Sequence, residues 1–413
     1  MNRRELLTGA AILAGTSQAN AFGLGRLGAR GGLGSGGDLG GASSPFFNIN
    51  PTTLANFKAA WVAQSGNVPL VMTGDSTMRG VDEGSSPYGN QYPVYATPMQ
   101  LAALLNAGGI RASADNLFGS GLAANFNDLA ARDNRFTSAT FSGAAALGSS
   151  QTQGGSSIDY SATGQSVTIA FKNATDNHRY WFRDAALGRN LVAAVDGAGS
   201  NAINTTGVSQ IGSIAYPAGS LGIHTTTIAW ALGTPSLFGV EGWDSTKNPQ
   251  ILVRQWGAAG DTSAGMIANT GAPNGGRTAF MNANPPKLVI SECGLINDRR
   301  QSVPLTGANS SYSNMTTYVQ NVKALGSDFL FLTPPYDNAT GTGLVSEQDA
   351  GAALMYQIAR EQSVGVIDLR RTWRSYAYAV SQGWQRGTDN VHGSTAGYLN
   401  TAQLVYQALR LVI

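Results

Sequence analysis

The chain carries a single cysteine, Cys293, among 413 residues, so it can form no intramolecular disulfide. An oxidising compartment permits disulfides without requiring them, so this does not argue against export. Histidine is almost as scarce. His178, His224 and His392 lie far apart, and with one cysteine they offer no paired-ligand spacing for a metal. Charged residues make up 12% of the chain, against about 25% in an average soluble protein. The net charge is +2, with no Lys/Arg cluster beyond pairs, which excludes nucleic-acid binding driven by phosphate neutralisation. No apolar run approaches the roughly 20 residues that span a bilayer, so stable membrane insertion is not expected. No glycine-rich turn is followed by the Lys-Ser/Thr that cradles phosphates, and no cofactor is expected. Gly-x-Ser-x-Gly, the elbow of α/β-hydrolases, is absent too.

What is present begins with a processing segment. Arg3-Arg4 leads into the apolar stretch Leu6 to Leu13, and Ala19-Asn20-Ala21 is a small-x-small cleavage site. Residues 1–21 therefore read as an export signal, of the twin-arginine or the general secretory kind, delivering the protein to the periplasm or outside the cell. Residues 22–45, rich in Gly and Ser, read as a flexible linker.

Two stretches carry chemistry. The apolar run Val68 to Met72 breaks into the turn Gly74-Asp75-Ser76, and a short apolar run bounded by turn residues reads as a buried strand. In an open α/β sheet a serine just past such a strand lies where ligands bind. Near the other end, Asp389 precedes His392 by three residues in a loop before a helical pattern. His178 and His224 fall in strand-like stretches, where the plain reading is a packed or exposed histidine. His392 is the candidate base.

Gly74-Asp75-Ser76 after a strand, together with Asp389-x-x-His392, resembles the SGNH/GDSL hydrolase family. Gly260 in Gly260-Asp-Thr262 and Asn297 in Asn297-Asp298 supply that family's remaining two markers in the right order. The resemblance covers about two thirds of the chain. It implies Ser76 as nucleophile, His392 as base and Asp389 as the carboxylate that fixes the histidine tautomer. It also implies an oxyanion hole made by the Ser76 N–H, the Gly260 N–H and the Asn297 amide. Gly119 is the alternative glycine, and Gly294 stands one residue too far from Asn297 to complete the family's Gly-x-Asn-Asp.

The fold expected is α/β, a flavodoxin-like three-layer parallel sheet interrupted by an all-β, jelly-roll-like sandwich. Residues 46–124 and 250–413 alternate strand and helix patterns. They include a helix from Asn50-Pro51 with Leu54, Phe57 and Trp61 on one face, and another capped by Thr97. Residues 125–249 show alternating apolar positions such as Val167, Ile169 and Phe171, with turn clusters between them, and form the insert.

The function expected is an exported serine esterase acting on small acyl esters, acetyl first, of a carbohydrate. Tyr180, Trp181, Trp230 and Trp243 of the insert are candidates for stacking on sugar rings. A lipase or thioesterase, and an acyltransferase sharing the acyl-enzyme, use the same chemistry. An inert glycan-binding surface protein is the alternative of another class.

Overall fold

The computed structural model describes residues 44–80, 95–118, 135–142, 146–148, 157–184, 186–208, 211–258, 260–268, 277–338, 345–386 and 390–413. The expected export signal, the expected linker up to residue 43, residues 81–94, Gly119 and Asp389 lie outside them.

One sheet holds seven strands: β1 (Phe46–Phe47), β2 (Val68–Gly74), β3 (Ala112–Ser113), β4 (Ile251–Gly257), β5 (Leu288–Ser291), β6 (Asp328–Thr333) and β7 (Gly365–Asp368). Their spatial order is β1-β7-β6-β5-β2-β4-β3. Every pair is parallel except β1 with β7. The apolar runs of these strands are continuous because helices cover both faces. Along β2, Leu70 and Met72 join one buried cluster with Phe57 of helix α1 (Ala55–Ala63), Leu101 of α3 (Thr97–Ala107) and Val405 of α6 (Thr395–Arg410). Val71, pointing the other way, joins a second cluster with Val319 of α4 (Ser311–Ala324) and Ile358 of α5 (Val345–Gln362). Between β2 and α3 lies the four-residue helix α2 (Ser76–Arg79).

The helix starts differ slightly from expectation. Asn50 caps a turn, accepting from the N–H groups of Thr52 and Thr53, and α1 begins only at Ala55. Thr97 is the first helical residue of α3 and not its cap.

Read from β4 through β2 to β5, β6 and β7, the sheet follows the doubly wound order 2-1-3-4-5, with β2 as strand 1. The chain passes from β2 to β4 on one side, and from β4 it crosses back to β5 on the other. The crevice beyond the carboxyl end of β2 is therefore the topological switch point, where ligands bind in such sheets.

Two antiparallel sheets form the rest. One pairs Phe136–Ser142, Ser166–Phe171, Thr225–Leu232, Asn190–Val195 and Ala198–Ile203 in that spatial order. The other pairs Ile211–Gly222, Thr175–Arg183, Ser236–Trp243, Ser157–Asp159 and Ala146–Gly148, with Asn116–Phe118 also on Ser236–Trp243. Val167, Ile169 and Ile228 of the first share one core with Tyr180, Phe182 and Val240 of the second. His224 precedes its strand, which starts at Thr225.

Most of the aromatics expected to meet sugars are instead core. Tyr180 and Trp181 are fully buried and Trp243 is buried. Tyr180 faces the shared core of the two sheets, while Trp181, on the opposite face, packs with Trp256 and Val71 of the parallel sheet. Only Trp230 is half-buried, its indole N–H on the Gly233 carbonyl at 2.7 Å.

The two histidines of these sheets titrate in opposite senses. His178 bonds Thr175 Oγ1 at 2.9 Å and Thr226 Oγ1 at 2.7 Å, joining the two sheets. Burial, then the charge of His224, pushes it down to about 4. His224 faces two acceptors, the Asp196 carboxylate at 2.6 Å and the Ser220 carbonyl at 2.7 Å, so both ring nitrogens donate. Burial opposes that charge, but the two bonds outweigh it and raise the pKa above 6.5. The stability contributed by His178 is therefore present above 6.5 and lost as pH falls toward about 4. That of His224 is present below 6.5 and lost as pH rises through its higher folded value. Melting temperature measured from about pH 5 to 9 is expected to fall on both sides, and Asp196→Asn is expected to remove the alkaline fall alone. An unchanged alkaline slope in that variant would refute the assignment to His224.

Candidate active site

Three neighbouring strands end at the same edge. In the register, Gly74 of β2 lies opposite Gly257 of β4, and Thr73 opposite Ser291 of β5. The segments carrying Ser76, Gly260 and Asn297 thus leave the sheet side by side. Ser76 lies far from Gly260 and Asn297 in the sequence, and the switch point brings them together.

The turn after β2 is shaped by what surrounds it. A Cβ on Gly74 would come within 2.9 Å of both Glu292 Oε2 and Met78 Cβ, so only glycine fits. Asp75, buried, caps α2: its Oδ1 accepts from the Thr77 N–H at 2.9 Å and from Thr77 Oγ1 at 2.9 Å. Gly80 closes the helix at φ +81°, where a Cβ would strike Ala96 at 2.5 Å. Ser76, the first helical residue, is half-buried.

His392 Nε2 lies 2.8 Å from Ser76 Oγ. A short ladder holds the histidine loop: Gln385 bridges Gly393, the Arg386 N–H donates to the His392 carbonyl at 3.0 Å, and Tyr376 donates to Asn390 Oδ1 at 2.8 Å. Ser394 then caps α6, accepting from the Gly397 N–H. The serine hydroxyl and the imidazole, 316 residues apart in sequence, stand within hydrogen-bond distance, the geometry that a nucleophile and its base require.

Gly260 adopts φ +77° and has open space where a Cβ would be. Its neighbour Asp261 pairs with Arg277, whose guanidinium also donates to the carbonyls of Trp256 and Gly74, tying together the ends of β4 and β2. Asn297, in the helix Leu295–Arg300, donates from Nδ2 to Asp75 Oδ2 at 3.1 Å and to the Asp261 carbonyl at 2.9 Å. Both amide hydrogens therefore have protein acceptors, and the amide is turned to the turn beneath the serine. Gly294, at φ +66°, packs its Cα against Asp261, where a Cβ would meet the carbonyl at 2.6 Å. Asp298 accepts from the Ser263 N–H at 2.9 Å and from Ser311 Oγ at 2.6 Å, holding neighbouring helices.

Three residues at this edge carried no role in the sequence reading: Thr77, Arg277 and Glu292. Glu292, buried at the end of β5, meets Thr77 Oγ1. An acidic residue continuing an apolar strand was the available signal for it. Arg277 gave no signal, since its partners, the Asp261 carboxylate and the carbonyls of Trp256 and Gly74, come together only in the fold. Cys293 is fully buried, and burial pushes its thiol up to about 12, which leaves it inert as a nucleophile. Among the described residues no cluster of three or more His, Cys, Asp or Glu could hold a metal, and no helix is long and apolar enough to cross a membrane.

A solved structure of a peptidoglycan O-acetylesterase matches this chain with TM-score 0.62 at 13% identity, covering 89% of this chain and 98% of that one. This chain shares its fold. A family two carbohydrate esterase from Cellvibrio japonicus matches at TM-score 0.26 and 11% identity, over 72% of this chain and 97% of that one. A lipase/acylhydrolase from Enterococcus faecalis matches at TM-score 0.30 and 16% identity, over 39% and 76%. At such scores the last two carry no weight for the fold. No protein-family model matches the sequence, and no curated protein does.

Proposed function

We propose that this protein is an exported serine esterase of the SGNH type that removes small acyl groups, acetyl first, from a carbohydrate. The observation that carries the reading is the 2.8 Å contact between Ser76 Oγ and His392 Nε2 at the switch point of the sheet. Ser76 attacks the ester carbonyl while His392 takes its proton and returns it to the leaving alcohol. Asp389, three residues before His392, orients the imidazole. The N–H groups of Ser76 and Gly260 and the amide of Asn297 receive the oxyanion, with Asn297 turning one hydrogen from Asp75 toward it. Water then releases the acyl-enzyme.

Residues 46–124 and 250–413 form the catalytic domain in this reading, and 125–249 an inserted β-sandwich. The shared fold with a peptidoglycan O-acetylesterase supports a carbohydrate ester as the substrate. The export signal read in residues 1–21 agrees with a substrate outside the cytoplasm.

The test is hydrolysis of p-nitrophenyl acetate, butyrate and octanoate by the full chain and by Ser76→Ala. Acetate turnover that disappears in the variant and declines with acyl length is the expected result. Equal rates for wild type and variant would remove the esterase reading, and a preference for octanoate would favour a lipase.

A further inference from the structure

Beneath the nucleophile turn, one threonine hydroxyl serves two carboxyl groups. Thr77 Oγ1 lies 2.9 Å from Asp75 Oδ1 and also contacts Glu292 Oε2. A hydroxyl has a single hydrogen to give. Were both acids ionised, one of the two contacts would set a carboxylate oxygen against a hydroxyl lone pair, in a site closed to water. The pair therefore holds a proton.

The surrounding donors decide where it sits. Asp75 accepts three hydrogens: the Thr77 N–H, the Thr77 hydroxyl and the Asn297 amide. Such a set stabilises a carboxylate. Among the described residues Glu292 bonds only Thr77. It is admitted so close to the turn because Gly74 has no side chain.

We infer that Glu292 is a neutral carboxylic acid donating to Thr77 Oγ1, so that Thr77 donates to Asp75 and the relay positions the turn that carries Ser76. Glu292 is thus a positioning residue, and its kinetic consequence rests on the esterase reading above. Burial, and next the charge of Asp75, hold the Glu292 carboxyl well above the usual carboxylate range. Burial raises Asp75 as well, opposed by its bonds from Thr77 and by the charge of His392. Other charged or titratable groups around the pair are Asp261, Arg277, Asp298, Arg299 and Cys293. When Glu292 ionises as pH rises, both carboxylates compete for one hydroxyl. Asp75 then loses a donor, and the cap of α2 and the Asn297 amide lose their common anchor.

Glu292→Gln replaces the acid O–H by an amide N–H that donates at every pH, whereas Glu292→Met donates nothing. In pH profiles of p-nitrophenyl acetate hydrolysis, wild type is expected to decline as pH rises and Glu292→Gln to lose that decline. At neutral pH Glu292→Met is expected to lose about tenfold in kcat with little change in KM, and Glu292→Gln much less. A Gln variant as impaired as the Met variant, or one keeping that decline, would overturn the inference. Infrared spectroscopy reads the proton without any turnover. A protonated-carboxyl C=O band present in wild type at neutral pH and missing from Glu292→Gln is expected, and no such difference refutes the relay. If Ser76→Ala hydrolyses ester as fast as wild type, the esterase reading fails, while the infrared band still decides the state of Glu292.

Discussion

His392→Ala is expected to lower kcat for ester hydrolysis by about 10⁴–10⁶, and Ser76→Ala/His392→Ala to lose no more than either single change. The non-additivity is the informative part. In the proposed mechanism serine oxygen and imidazole act as one unit across a 2.8 Å contact, so removing either removes the proton transfer that the other requires. Independent contributions would multiply instead. The other two histidines serve as internal controls. His178 is spent on the hydroxyls of Thr175 and Thr226, and His224 on Asp196 and Ser220. Variants of either are expected to change stability and leave kcat of the folded enzyme within a few-fold. Steady-state rates, normalised to the concentration of folded protein, provide the check. Undiminished turnover in His392→Ala would rule out His392 as the base.

The parts of this site that were legible in the sequence are those encoded locally. Val68 to Met72 is apolar without alternation because both faces of β2 are covered, and Gly74-Asp75-Ser76 is a strand end, a cap and a helix start in three residues. His392 could be singled out because the chain has so few histidines. What escaped is encoded across the fold. Thr77 and Glu292 are 215 residues apart, and Arg277 is 203 from the Gly74 carbonyl it holds. No spacing rule links them until β2, β4 and β5 lie side by side. The orientation of Asn297 is equally a tertiary fact, since a helix start says nothing of which acceptors its amide meets. Trp181 illustrates the limit of strand alternation. In an exposed hairpin its face would be solvated and open to a sugar, but here that face lies against Trp256 and Val71 of the other sheet. Aromatic content alone therefore misjudged what the antiparallel part offers a ligand.

That buried face supports the second large effect, in stability. Glu241→Ala is expected to destabilise the fold by about 3–5 kcal/mol. Glu241, on Ser236–Trp243, and Arg254, on β4, are both almost fully buried and pair through two parallel bonds, Nε to Oε1 and Nη2 to Oε2, each at 2.9 Å. The guanidinium also lies over the Trp181 ring, 5.0 Å from its centroid. The pair thus joins β4, the strand next to the edge strand β3 of the parallel sheet, to the antiparallel one. Removing the carboxylate strands a guanidinium where water cannot reach it, and that uncompensated charge carries the cost. Exchanging both partners together, as Arg254→Met/Glu241→Leu, strands nothing and is expected to recover most of the loss. Urea denaturation of wild type, the single variant and the double variant separates these cases. A loss below about 1 kcal/mol in Glu241→Ala would mean that Arg254 finds other solvation. A double variant as unstable as the single one would show that the pair's own geometry, and not the avoidance of a buried charge, holds the two sheets together.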